Sequence, residues 1–417
     1  MKELQVMCKA RGTSFWLGTL ADDGRDILFQ YSPDALTRGH ELSPLRLPLR
    51  AQAYPDHQRD YLDLMRVPGL INDALPDGWG CVLMDRRMKS RGINLAQVSV
   101  LDRLAYLGEN TMGALTFEPG DKPPVDDCDL TLQQMASEIQ ALLHDESHVV
   151  LAELARAGGS PGGARPKAVV YYSPRTRQMS THDGRVEGGQ PWLVKFPSPG
   201  DARDSCALED LYAKMADLCG LGMEATTFFQ LSNGLTAFGT RRFDRNDAGQ
   251  RVHVHSLAGV LHANFRLPSL GYTEYLQVTR RLTRDHRELV KALRRCVFNV
   301  LMNNRDDHAK NMAFLLNEQN DWVLAPPYDL TYCPGPRGEH FMDVAGEGKN
   351  PGRAHVLKVA LAAGLTVSVA CDVIDEMLSR FTDADFRHHG AGMPISKQTI
   401  HTVANIIEAN RRRLDAG

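Results

Sequence analysis

Asn303-Asn304-Arg305-Asp306-Asp307-His308-Ala309-Lys310-Asn311 packs two carboxylates, an imidazole, an ammonium group and a terminal carboxamide into one short stretch. Just before it, Leu289, Val290, Leu293, Cys296, Val297, Val300 and Leu301 recur at helical spacing. That stripe predicts a buried helix delivering the next segment to a fixed place. Eighteen residues after Asn311, Ala325-Pro326-Pro327-Tyr328-Asp329-Leu330 puts another carboxylate at the end of an apolar strand, Trp322-Val323-Leu324. Phosphoryl transfer needs such a set: an Asp to orient a hydroxyl and accept its proton, and an Asn and an Asp to hold magnesium on the β- and γ-phosphates. Asp306, Asn311 and Asp329 are the candidates. The first motif alone also reads as a solvated loop; the two at this separation are far more specific.

Working upstream, Lys195 closes the strand Trp192-Leu193-Val194-Lys195-Phe196, where an ammonium group can bridge the α- and β-phosphates. Glu209, on the helix expected over about 206 to 219, is its candidate partner. A strand-end Lys is otherwise a surface residue. The loop Gly158-Gly159-Ser160-Pro161-Gly162-Gly163-Ala164-Arg165-Pro166-Lys167 is neither a Walker A loop nor a GxGxxG loop. Its glycines let backbone N–H groups approach phosphate, and Lys167 adds charge. Taken alone, such a loop is also a plain turn.

Strands expected at 168–172, 192–196, 226–230 and 236–243, with the helix between them, give an order that resembles the small lobe of a kinase. Short alternating strands fill residues 1 to about 120, interrupted by a helix near Tyr61 to Lys89, and apolar spacing from Leu132 to Leu143 predicts an amphipathic helix. After residue 256 the chain turns mostly helical.

At 417 residues the chain exceeds the size of one core, so two lobes are expected. Apolar residues at 43% and charged residues at 24% are ordinary for a globular protein and exclude disordered and collagenous classes. A net charge of −3 makes the whole chain no magnet for nucleic acid. The eight cysteines are scattered, without CxxC, which fits reduced thiols in a cytoplasmic compartment. The first residues lack an apolar signal core, and no apolar window is long enough for a membrane span, so a soluble cytoplasmic protein is expected.

Five motifs together, Gly162-Gly163-Ala164-Arg165-Pro166-Lys167, Val194-Lys195-Phe196-Pro197, Arg242-Phe243-Asp244-Arg245, Asp306-Asp307-His308-Ala309-Lys310-Asn311 and Pro327-Tyr328-Asp329-Leu330, resemble the HipA family of bacterial toxin kinases. Asn72-Asp73-Ala74-Leu75-Pro76-Asp77 and Leu107-Gly108-Glu109-Asn110-Thr111-Met112-Gly113-Ala114 extend the resemblance almost end to end. It implies an α+β, two-lobed, protein-kinase-like fold with a β-rich N-terminal lobe and a mostly helical C-terminal lobe. The expected parts are an N-terminal subdomain (1–125), an ATP-binding core and hinge (126–245) and a helical lobe with the catalytic loop (246–417).

The resemblance further implies a serine/threonine kinase using ATP and Mg2+, paired with a helix-turn-helix antitoxin of HipB type. Its target would be a translation-related protein such as an aminoacyl-tRNA synthetase, and DNA would be met only through the antitoxin. By matched position, Gly162, Gly163, Ala164, Arg165, Pro166 and Lys167 form the ATP loop, Lys195 the phosphate-binding lysine, and Arg241, Arg242 and Phe243 the adenine hinge. Asp306 is the base, His308, Lys310 and Asn311 supply catalytic-loop contacts, and Tyr328 and Asp329 contribute at the nucleotide, Asp329 as second metal ligand. Ser160 falls where the family carries an autophosphorylated serine.

Arg305 departs from the family, where Thr is common, and Arg241 replaces an acidic hinge residue. The basic run Arg280, Arg281, Arg284, Arg287, Lys291, Arg294 and Arg295 reads as a solvated face or a nucleic-acid contact. His253, His255 and His262 have no carboxylate at ligand spacing and read as structural or as lining a substrate groove. Two alternatives stay open: a metal-dependent phosphohydrolase on Asp306, Asp307, His308 and Asp329, and a binding module that acts as co-repressor with an antitoxin.

Overall fold

Antiparallel strands dominate the first third of the chain and helices the last, in a computed structural model that describes residues 1–55, 61–120, 129–144, 152–159, 162–198 and 200–416. Two units result. The first comprises Met1–Ala202, Thr227–His255 and Gly259–His262; the second comprises Arg203–Thr226, Ser256–Ala258 and Ala263–Gly417. The α+β division expected from the sequence is therefore present, β-rich first and mostly helical second.

In the first unit one five-stranded sheet runs in the order Tyr54–Pro55, Ile27–Tyr31, Thr13–Asp22, Lys2–Ala10 and Leu115–Glu118. A second has the order Gln178–Ser180, Lys167–Ser173, Gln190–Lys195, Thr236–Arg241 and Thr226–Gln230. Its central strands bury Ala168, Val170, Trp192 and Val194 in a core shared with Trp79 and Leu83, and with Met135 and Ile139 of the helix Leu132–Leu143. The Val, Leu, Ile and Met side chains among these each contribute on the order of 1.5–3 kcal/mol when fully buried. The Thr131/Gln134 capping box fixes where that helix starts.

The helix expected near Tyr61 to Lys89 is not continuous. Gly69–Asn72 and Gly78–Ser90 are separate helices. Pro76 lies in the break, and Gly78 begins the second helix at a positive φ of 43°, so the ladder cannot run through.

In the second unit the helix His286–Leu301 starts at Asp285, whose side chain accepts from the Arg287 amide at 2.8 Å. Its apolar stripe is buried as expected, apart from the half-buried Val290. At its end the Tyr212 hydroxyl donates to the Met302 carbonyl at 2.6 Å and Asn410 Nδ2 donates to that of Leu301 at 3.1 Å. Last-turn carbonyls have no helical partner. Supplying them from the helices Ser205–Leu218 and Lys397–Asp415 fixes the point where residue 303 leaves.

The basic run is partly a solvated face: Arg280, Arg281, Arg284, Arg287 and Lys291 are exposed. Arg294 instead pairs with Glu376, and Arg295 is buried and donates to the Ala325 carbonyl. Among the described residues no helix is long and apolar enough to cross a membrane. The seven described cysteines are free thiols, and burial pushes those of Cys8 and Cys219 up to about 12, which leaves them unreactive.

Candidate active site

Asn303 reverses the chain in the left-handed region, φ 52°, and a single turn over Ala309–Asn311 follows. Between them Asp306 is half-exposed and Asp307 fully buried. Asn311 Nδ2 donates to the Asp306 carbonyl at 2.8 Å and its amide donates to the His308 carbonyl at 2.8 Å. With its nitrogen engaged, the carboxamide oxygen is the half of that side chain able to ligate a hard cation. His308 Nε2 stands 3.9 Å from Asp306 Oδ1.

The eighteen-residue gap to Asp329 closes through a hairpin. Ala313–Leu316 pairs antiparallel with Trp322–Leu324, Phe314 opposite Leu324, and the Ala325 amide donates to the Ala313 carbonyl at 3.0 Å. Glu288 Oε2 accepts from the Leu324 amide at 2.7 Å, tying the hairpin to the helix before the loop. The Tyr328 hydroxyl then donates to the Lys310 carbonyl at 2.6 Å. Asp329 itself takes φ 57°. Asp enters that left-handed region more readily than most non-glycine residues. The two motifs separated in sequence are thus brought together inside one unit.

Phe265 packs on His308 with ring centroids 5.3 Å apart, and Phe341 approaches His308 edge-on at 5.8 Å. Lys310 Nζ lies 5.0 Å from the Phe265 centroid. These aromatics pack against His308, whose Nε2 is the atom near Asp306, and sequence spacing offered no sign of them.

In the first unit, Lys167 and Lys195 are direct cross-strand partners and both are buried. Two ammonium groups opposed on one sheet face repel. Lys167 Nζ donates to the Gly162 carbonyl at 2.5 Å, and Lys195 Nζ lies 5.9 Å from the Phe238 ring. Gly163 has φ 102°, and a Cβ there would stand 2.2 Å from Lys167 Nζ, so only glycine fits. Its amide donates to Asp77, and its carbonyl accepts from the Trp79 amide at 3.1 Å. Ala164 Cα lies against Gly78, the Pro166 carbonyl accepts from the Phe196 amide at 2.9 Å, and Arg165 Nε is 3.5 Å from Asp201. Ser160 and Pro161 lie outside the described residues.

At the expected hinge, Arg241 pairs with Asp247 at 2.8 Å. Arg242 is buried and bidentate to Asp244, at 2.8 and 2.7 Å. Asp244 also accepts from Arg245 and from the Gly113 amide, each at 2.7 Å. Burial pushes the pKa of this carboxyl up, but the Arg242 and then the Arg245 guanidinium outweigh it and hold it well below the usual carboxylate range. The guanidinium of Arg242 thus holds the Arg242–Arg245 turn; Phe243 lies between these partners. Glu209 belongs to the second unit, buried on the helix Ser205–Leu218.

Of the three histidines, His253 and His255 are buried. His255 Nδ1 is 2.7 Å from Asp73 Oδ2 and its Nε2 is 2.9 Å from Ser43 Oγ. Those distances match a nucleophile, base and orienting carboxylate, yet Ser43 is 1% and His255 0% exposed, so no substrate reaches them. Asp73 lies 182 residues away in sequence, out of reach of any local-spacing argument.

Residues 159–384 match the HipA-like C-terminal domain and residues 11–118 the HipA N-terminal domain. The chain belongs to the HipA family. Its fold is that of the HipA in the Shewanella oneidensis MR-1 toxin–antitoxin complex of HipA, HipB and operator DNA: TM-score 0.73, 17% identity, covering 99% of this chain and 97% of that one. A Sinorhizobium fredii protein named "Putative kinase Y4dM" is 26% identical over 64% of this chain, and the match spans 62% of that relative's length. The Helicobacter pylori proinflammatory kinase CtkA is less alike, TM-score 0.43 at 13% identity, over 55% of this chain and 87% of that one.

Proposed function

We propose that the protein is an ATP- and magnesium-dependent serine/threonine protein kinase and the toxin of a toxin–antitoxin pair. The observation that carries this reading is the hydrogen bond from Asn311 Nδ2 to the Asp306 carbonyl, with Tyr328 tying the Asp329 segment to the same loop. Asp306 is the base that orients the substrate hydroxyl. Asn311 and Asp329 are the protein ligands of magnesium, which takes most of its shell from phosphate and water and needs no all-protein cage. Lys195, Lys167 and the Gly162–Gly163 backbone suit phosphate oxygens, His308 and Lys310 neighbour the transferred group, and the Arg241–Phe243 segment keeps the role the family resemblance implies.

Its proposed partners are a HipB-type antitoxin, of the kind present in the Shewanella complex, and a translation-related protein target such as an aminoacyl-tRNA synthetase. Ser160 is the proposed autophosphorylation site. A phosphate there adds about −1.5 to −2 charges beside a phosphate-binding loop and opposes nucleotide. The phosphohydrolase reading is weaker because Asp307 is sealed from solvent. Incubation with γ-labelled ATP and magnesium tests the proposal: label appears on protein, Ser160 included. Rapid release of free phosphate without labelled protein would favour the hydrolase.

A further inference from the structure

Asp307 follows the proposed base directly yet has no exposed surface. Its Oδ2 accepts from the Tyr272 hydroxyl at 2.7 Å and lies 2.8 Å from His340 Nδ1, while Oδ1 accepts from the Phe341 amide at 2.8 Å. The Met342 amide is at the outer limit, 3.5 Å. No Lys or Arg forms an ion pair with it among the described residues. A buried carboxylate is costly unless its acceptor sites are filled, and an acceptor-only group is what three converging donors require.

These donors come from two places. Tyr272 opens the helix Tyr272–Thr283, and its hydroxyl also accepts from Asn299 Nδ2 at 2.8 Å. His340 and Phe341 lie downstream of Asp329. That downstream strip is held again by Arg305, whose guanidinium donates to the carbonyls of Pro334 at 3.3 Å, Gly338, and Lys349 at 2.7 Å. Gly335 makes the tight turn possible: at φ 73° a Cβ would sit 2.0 Å from the Glu339 carbonyl oxygen. The strip places the Phe341 ring against His308, whose Nε2 faces Asp306.

We propose that Asp307 is a positioning residue: by clamping residues 340–342 to the catalytic loop, it sets the Phe341–His308 wall that holds Asp306 in its working geometry. This inference rests on the kinase reading for its consequence, but the clamp itself is testable without it. Misplacing a reacting group by about 1 Å costs roughly 10²-fold in rate.

Asp307→Asn keeps the size but turns one acceptor into a donor facing Tyr272 and His340. In the full-length protein its kcat for phosphoryl transfer falls by roughly 10²-fold, while KM for ATP stays within about threefold. Hydrogen exchange over 338–344 accelerates, and exchange in His286–Leu301 does not change. Tyr272→Phe, which removes a single donor, gives the same pattern at smaller size and serves if Asp307→Asn fails to fold. Wild-type kcat in Asp307→Asn overturns the proposal, as does an equal loss in kcat and ATP affinity, which marks a merely structural role. If the wild type transfers no phosphate, the kinase reading fails by itself. Exchange then decides the clamp: unchanged protection over 338–344 in Asp307→Asn and Tyr272→Phe refutes it, and faster exchange supports it.

Discussion

The Tyr328 hydroxyl reaches the Lys310 carbonyl at 2.6 Å, so the segment carrying Asp329 hangs from the backbone of the loop carrying Asp306 and Asn311. A neutral hydrogen bond of this kind is worth about 0.5–1.5 kcal/mol. Tyr328→Phe is therefore expected to lower stability by about 1 kcal/mol and to weaken magnesium-dependent nucleotide binding several-fold. Isothermal titration of Mg–ATP against both proteins checks this; identical affinities mean that the tether does not set Asp329.

Asp77 occupies the amide of Gly163, a donor that an anion bound to this loop needs. Asp77→Asn removes the like charge and is expected to tighten ATP binding by up to about tenfold, the 1.4 kcal/mol scale of one charge-assisted hydrogen bond. A weaker affinity in this variant would show instead that Asp77 holds the loop in its binding shape.

Asp244 sits buried between two guanidiniums. Removing the carboxylate by Asp244→Ala strands both and is expected to cost about 3–5 kcal/mol, measured by urea unfolding. A loss below about 1 kcal/mol would mean that water replaces it.

Acid is expected to loosen the first unit. Burial, with the neighbouring His255, lowers both His253 and His262 to about 4. Both groups are neutral when folded and bind protons more readily when unfolded. Their stability contribution is complete above the unfolded value near 6.5 and is lost as pH falls from there towards 4. Unfolding midpoints recorded from pH 7.5 to 4.5 should drop along this window, and the drop should shrink in His262→Phe. A flat profile would show that neither group stays neutral inside.

What the sequence disclosed is what lies contiguously or follows a period. The apolar stripe from Leu289 to Leu301, the nine residues ending at Asn311 and the strand before Asp329 were readable because helix, loop and hairpin are local. Side-chain partners separated by long stretches were not: Asp307 with His340, Asp77 with Gly163, Asp73 with His255. The continuous helix expected at 61–89 failed at Pro76 and Gly78, where backbone limits outrank apolar spacing. Arg295 reads as a surface residue by composition, yet the Ala325 carbonyl holds it inside.

Asp306 is proposed as the base of a protein kinase. The most direct measurement is single-turnover transfer from γ-labelled ATP to protein, comparing wild type with Asp306→Asn at matched nucleotide occupancy. A positioned base contributes roughly 10²- to 10⁴-fold, so the variant should bind Mg–ATP with near wild-type affinity and transfer slower by that factor. Transfer at the wild-type rate in Asp306→Asn would contradict the account.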